Sequence, residues 1–183
     1  MQEMDRKTVT LVLGGVRSGK SRFAVEFARR FSRVGFLATA KASDGEMLEK
    51  IRRHRLERPE DWRTIEEPLE LARVLKEDGV FYDLLLVDCL TFFASNLLDA
   101  ASDSRDLAAR IDIFLAALRT TSASVVLVSN EVGSGVVPAY PAGRRFRDLL
   151  GEINQKVAAI ADNVVLLVAG LPFPLKGQVE VHP

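Results

Sequence analysis

Residues Gly14-Gly15-Val16-Arg17-Ser18-Gly19-Lys20-Ser21 follow the spacing G-x-x-x-x-G-K-[ST], directly after an apolar run, Thr8 to Leu13, and directly before a helical period. That context constrains the chain more than any other feature. The glycines let backbone N–H groups curl around a phosphate, and the following helix N-terminus adds partial positive charge. Lys20 then reaches the β and γ phosphates of a nucleoside triphosphate, and the Ser21 hydroxyl supplies a ligand for Mg²⁺. The plain alternative is a glycine-rich turn that carries a lysine. A loop of this kind needs an acid at the end of another strand to hold the metal or its water. Asp88, after the apolar Leu84 to Val87, stands at such a position, where it could equally cap a turn.

Five short apolar runs alternate with helical periods: Thr8 to Leu13, Val34 to Thr39, Leu84 to Val87, Val125 to Ser129 and Val164 to Val168. Strands that are apolar throughout are covered on both faces, which predicts an α/β fold with a mainly parallel sheet and crossover helices. Helical spacing recurs at Phe23, Phe27 and Phe31, at Ile65, Leu69, Ala72 and Leu75, and at Ile111, Leu115 and Leu118. Phe146, Leu150, Ile153, Val157 and Ile160 predict a longer helix. At the carboxyl ends of such strands, the connections 40–63 and 133–143 are the places for chemistry.

The length of 183 residues predicts one domain, 1–183, at about 150 residues per domain. Formal charge cancels, 25 basic against 25 acidic residues, so no global field draws in nucleic acid or an anionic membrane, and any anion site must be local. A lone cysteine, Cys89, and two histidines leave no metal cluster of usual spacing, which fits a reducing, cytoplasmic setting. No apolar run approaches the ~18 residues of a membrane-spanning helix. The run after Val9 is cut by Gly14, Gly15, Arg17 and Lys20 too early for a leader.

His54 sits in Lys50-Ile51-Arg52-Arg53-His54-Arg55 and at helical spacing shares a face with Met47 and Ile51. A half-buried structural histidine is one account of it. The other is a nucleophile, since an unprotonated imidazole nitrogen attacks phosphorus and Arg52, Arg53, Arg55 and Arg58 would stabilise phosphate oxygens. His182, next to last in the chain, is assigned no chemistry.

Several separated strings together resemble one family, the bifunctional adenosylcobinamide kinase and adenosylcobinamide-phosphate guanylyltransferase of cobalamin synthesis. They are GGVRSGKS from Gly14, ATA at Ala38 to Ala40, HRLERPEDWRTIEEP from His54, VDCLTFFASNLL from Val87, SNEVGSGVVP from Ser129, and the run from Arg144 through Gln155. By that resemblance His54 is the guanylylated histidine. Gly14, Gly15, Val16, Arg17, Ser18, Gly19, Lys20 and Ser21 form the nucleotide loop. Ala38, Thr39, Ala40, Arg55, Leu56, Glu57, Arg58, Glu66 and Asp88 fall on guanine-nucleotide contacts. The resemblance also implies a P-loop NTPase-type sheet with helices on both faces, like that of recombination ATPases, and a homotrimer. Phe92-Phe93 lies where the family often has a residue such as Trp, and Arg53 stands where some members have a second histidine.

The implied chemistry is twofold. Lys20, Ser21, Asp88 and Mg²⁺ support transfer of the γ-phosphoryl group of ATP or GTP to the corrinoid alcohol adenosylcobinamide. His54 then attacks the α-phosphorus of GTP, and the guanylyl group passes to the corrinoid phosphate to give adenosylcobinamide-GDP. Two other readings stay open at this stage: a P-loop kinase of another small alcohol with no covalent intermediate, and a nucleotide-switched binding or assembly protein. The 133–143 connection is either a corrinoid contact or a plain turn.

Overall fold

The computed structural model describes residues 7–41, 45, 49, 52, 55 and 58–179. The apolar runs form strands β1 (Val9–Gly14), β2 (Val34–Ala38), β4 (Leu84–Asp88), β5 (Ser124–Asn130) and β6 (Asn163–Val168). Two strands join them that periodicity did not predict, β3 (Arg63–Glu66) and β7 (Leu171–Lys176). The sheet order is β3-β2-β4-β5-β1-β6-β7. Every neighbouring pair is parallel except β6 and β7, which form an antiparallel hairpin.

The helices are α1 (Lys20–Ala28), α2 (Leu71–Glu77), α3 (Leu90–Ala100), α4 (Ser104–Thr120) and α5 (Pro141–Ile160). Asp103 caps α4, its carboxylate accepting from the N–H groups of Arg105 at 2.8 Å and Asp106 at 2.9 Å. The Ile65–Leu75 period is corrected: Ile65 belongs to β3 and Leu69 to a turn, so only Ala72 and Leu75 are helical. Pro68 disfavours helix before it, and the Glu67 carboxylate accepts from the N–H groups of Leu69 (3.1 Å) and Glu70 (2.9 Å), which closes the turn. Phe31 likewise lies beyond the end of α1, and Gly143 falls in the first turn of α5 rather than in the loop before it.

Two apolar layers lie on opposite faces of the sheet. Alternate strand residues Leu11, Leu37, Leu85, Val87, Val125 and Leu127 pack with α2, α3, α4 and α5. Their neighbours Val12, Phe36, Leu84, Leu86, Val126, Val128 and Val165 pack with Ala24 and Ala28 of α1. Helices therefore cover both faces, and the strands are apolar throughout because each presents side chains to both layers. At the centre of the thicker layer, Phe93 and Phe114 meet at 5.0 Å between ring centroids, tilted by 55°.

Phe114→Ala should lower the unfolding free energy by about 3–5 kcal/mol, whereas Ile113→Ala, at an exposed position on the same helix, should change it by less than about 0.5 kcal/mol. Urea titrations of the two variants and wild type provide the comparison.

Candidate active site

The parallel strands end in phase. β3, β2, β4, β5 and β1 finish on Glu66, Ala38, Asp88, Asn130 and Gly14. Glu66 is level with Ala38, Ala38 with Asp88, and Gly14 with Asn130. Side chains alternate along a strand, so these even-numbered ends belong to the same face as Phe36, Leu86, Val128 and Val12, the face covered by α1. One edge and one face thus collect the phosphate loop, Asp88, Ala38 and Glu66, four parts of the site expected from sequence.

The phosphate loop is tightly seated. A Cβ on Gly14 would collide with the Ser18 hydroxyl and lie 2.7 Å from the Leu167 carbonyl oxygen. Gly19 has φ 95°, and a Cβ there would lie 3.1 Å from Gly170 Cα in the β6–β7 turn. That turn holds the loop directly, the Gly170 N–H donating to the Ser18 carbonyl at 2.9 Å. Lys20 is buried, and its Nζ donates to the Gly15 carbonyl at 2.8 Å. Burial pulls its pKa below the ordinary lysine value, against the opposing influence of Cys89 and Asp88. A phosphate anion would add to the countercharge of Asp88 and offset the desolvation of the ammonium further. The Ser18 hydroxyl is buried without a hydrogen-bond partner inside this cradle.

Asp88 is braced from β2. The Thr39 hydroxyl donates to the Cys89 carbonyl (2.7 Å) and accepts from the Cys89 N–H (2.8 Å), while the Thr39 N–H donates to the Asp88 carbonyl (3.2 Å). Thr39 is fully buried, so its hydroxyl serves the backbone that carries Asp88. Asn96 of α3 donates to the carbonyls of Thr39 (2.9 Å) and Pro68 (3.0 Å), joining the ends of β2 and β3. Burial pushes the Cys89 thiol up to about 11, reinforced by the Asp88 carboxylate, so at neutral pH it is no nucleophile.

A second polar network fixes the end of β5. The Asn130 N–H donates to Thr91 Oγ1 (3.1 Å), and Asn154 of α5 donates to the Asn130 carbonyl (3.0 Å) while accepting from the buried Ser129 hydroxyl (2.7 Å). Glu131 opens the next loop. Burial acts to raise its pKa, yet the N–H groups of Gly133 (2.8 Å) and Ser134 (3.2 Å) outweigh that and hold it below the ordinary carboxylate value. Sequence reasoning assigned no role to Thr91, Asn96 or Asn154. The available signal was a polar side chain inside an otherwise apolar helical stripe, as Asn96 is in Leu90–Ala100.

His54, Leu56 and Glu57 lie outside the described residues. Of the same connection, Gly45, Glu49, Arg52 and Arg55 have helical backbone and are exposed. The Arg58 guanidinium lies over the Phe36 ring, 3.2 Å from its centroid, on the α1 face of β2. Ala40 is half-buried just beyond the end of β2. On the other side of the edge, Val136, Val137 and Tyr140 are exposed in the loop after β5. Between α3 and the start of α5 lies a groove of about 350 Å³ lined by Ser95, Leu98, Asp99, Tyr140, Arg145 and Phe146 among others.

The residues present suit Mg²⁺. Ser21 and Asp88 offer hard oxygen donors, and no group of three or more His, Cys, Asp or Glu among the described residues forms a cage of its own. That is the donor set of a cation that keeps water and phosphate oxygens as its remaining ligands. No helix of the described residues is long and apolar enough to cross a membrane.

Residues 10–175 match the family model described as cobinamide kinase / cobinamide phosphate guanyltransferase. The bifunctional adenosylcobalamin biosynthesis protein CobP of Pseudomonas aeruginosa is 45% identical over 169 residues, covering 92% of this chain and 97% of that protein. The bifunctional adenosylcobalamin biosynthesis protein CobU of Escherichia coli is 39% identical over 178 residues, covering 91% and 98% respectively. Among solved structures, an ATPase of the type III secretion system of pathogenic bacteria superposes with a TM-score of 0.55 at 12% identity, over 87% of this chain and half the length of that one. That likeness is one of fold, the P-loop α/β fold expected from the loop and the strands.

Two outcomes follow from the geometry. Gly14→Ala should lower stability by about 1–3 kcal/mol through overpacking, while Gly15→Ala, whose Cβ meets nothing within 4 Å, should stay within about 0.5 kcal/mol of wild type in chemical denaturation. Folding lowers the Glu131 pKa, so its stabilisation is full above the unfolded value near 4.5 and is lost as pH falls through the lower folded value. The melting temperature of wild type should therefore exceed that of Glu131→Gln at pH 7, with the gap closing in acid.

Proposed function

The chain belongs to the cobinamide kinase / cobinamide phosphate guanyltransferase family and is an enzyme of cobalamin biosynthesis with both activities; from that premise we propose how its own residues divide the work. The observation that carries the reading is the collection of the phosphate loop, Asp88, Ala38 and Glu66 on one face of one sheet edge.

In the kinase reaction Gly14 to Ser21 hold the triphosphate of ATP or GTP, and Lys20 exchanges the Gly15 carbonyl for phosphate oxygens. Ser21 and Asp88 would hold Mg²⁺, which when bound neutralises charge on the β and γ phosphates. The γ-phosphoryl group passes to the hydroxyl of adenosylcobinamide. In the second reaction His54 is the nucleophile: its imidazole nitrogen bonds to the α-phosphorus of GTP as pyrophosphate leaves, and the corrinoid phosphate then takes the guanylyl group from it. Arg55 and Arg58, from the same connection, stabilise the α-phosphate, and Ala38, Thr39, Ala40, Leu56, Glu57 and Glu66 shape the nucleotide pocket. Thr39 does so through the backbone it braces.

The loop from Gly133 is the proposed corrinoid contact, because it leaves the end of β5 and exposes Val136, Val137 and Tyr140, the last of which also lines the groove between α3 and α5. We read residues 1–183 as one cytoplasmic domain and the assembly as a homotrimer, as the resemblance implies. The exposed apolar stripe of Val168, Leu171, Phe173 and Leu175 along the β6–β7 hairpin supports burial between subunits.

Incubation with GTP labelled at the α-phosphorus tests the covalent step. Label should enter the wild-type protein as an adduct labile to acid and stable to alkali, and should not enter His54→Ala. An acid-stable adduct, or undiminished labelling of His54→Ala, would remove the histidine from this role.

A further inference from the structure

Asn130 ends β5, the strand lying between those that carry Asp88 and the phosphate loop. It is level with Gly14 and belongs to the α1 face. Its main chain is held from two helices, by Thr91 Oγ1 on the N–H and Asn154 Nδ2 on the carbonyl. The side chain is treated differently, for Asn130 Oδ1 is buried and has no hydrogen-bond partner. A buried amide oxygen without a donor is unfavourable, and native proteins keep few of them. Here two helices fix the backbone that carries it, on the strand that lies between those of the metal-directed carboxylate and the phosphate cradle.

We propose that Asn130 is a further catalytic residue of the kinase reaction, its Oδ1 accepting the hydrogen bond of the attacking corrinoid hydroxyl and turning an oxygen lone pair towards the γ-phosphorus. A lone acceptor at this place suits a substrate donor, and the phosphates themselves offer none. The hydroxyl oxygen bonds to the γ-phosphorus as the bond from phosphorus to the β–γ bridging oxygen breaks, and that electron pair leaves with the nucleoside diphosphate. The hydroxyl proton passes to an oxygen of the transferred phosphoryl group, since an amide oxygen is too weakly basic to keep it. In a loose transition state such orientation contributes more than proton abstraction does. The inference rests on the kinase half of the reading above and is independent of His54.

The test uses the full-length protein with adenosylcobinamide, ATP and Mg²⁺. Asn130→Ala should lower the kinase kcat by roughly 10²-fold with the nucleotide KM within about threefold of wild type. Label from α-phosphorus-labelled GTP should still enter the protein, and the melting temperature should not fall, because the variant removes an unpartnered buried oxygen. Asn130→Asp, which keeps an oxygen at that point, should recover kcat to within about tenfold of wild type. A kinase kcat for Asn130→Ala within about threefold of wild type overturns the proposal. So does an Asp variant no better than Ala, or a joint fall of kinase activity, labelling and melting temperature, which would make Asn130 a structural residue. Failure of wild type to take up label would instead count against the histidine step alone.

Discussion

Phase along the strands is the constraint on which the rest depends. A strand presents successive side chains to opposite faces, so the last residue of each faces the chemistry only if its whole run is correctly registered. β3, β2, β4, β5 and β1 all meet that condition, with pairings that put Glu66, Ala38 and Asp88 in one row and Gly14 beside Asn130. The apolar residues behind them enforce it. Moving β4 by one residue would bring Leu84 and Leu86 into the layer of α2 to α5 and turn Asp88 away from the phosphate loop.

The polar interior at this edge is built mainly from neutral groups. Thr39, Thr91, Asn96, Ser129 and Asn154 tie strand ends to helices through hydroxyl and amide bonds. Neutral braces carry a smaller desolvation penalty than ion pairs would. They leave Lys20 as the buried cation of the phosphate loop, beside a cysteine that burial keeps protonated. Balanced overall charge and a concentrated local site are therefore compatible.

The parts of the fold legible in the sequence were those whose physics is local. Apolar runs bounded by turn residues marked five strands to within a residue or so, and the phosphate loop declared itself by glycine spacing between a strand and a helix. β3 was missed because it has only four residues and its outer ones are exposed, which gave Ile65 a false helical partner in Leu69. β7 carries Pro172 and Pro174, residues that weaken a strand pattern in sequence, yet an edge strand tolerates proline where no ladder donor is required. At the candidate site, the placement of Lys20 and Ser21 at the start of α1 and of Asp88 at the end of a strand was legible from motif spacing and the apolar runs. The braces of Thr91, Asn96 and Asn154 were not, since each joins residues 24 or more positions apart and depends on how helices lie over the sheet edge.

The contact between Gly170 and Ser18 gives the hairpin a second purpose. β7 adds little to either apolar layer, and its outward residues would suggest a dispensable appendage. Its turn nevertheless acts as a mechanical stop behind the loop that grips the nucleotide. The margin of the molecule is thus tied to the glycine-rich loop at its functional edge, so a substitution that reshapes this hairpin turn would be passed directly to that loop.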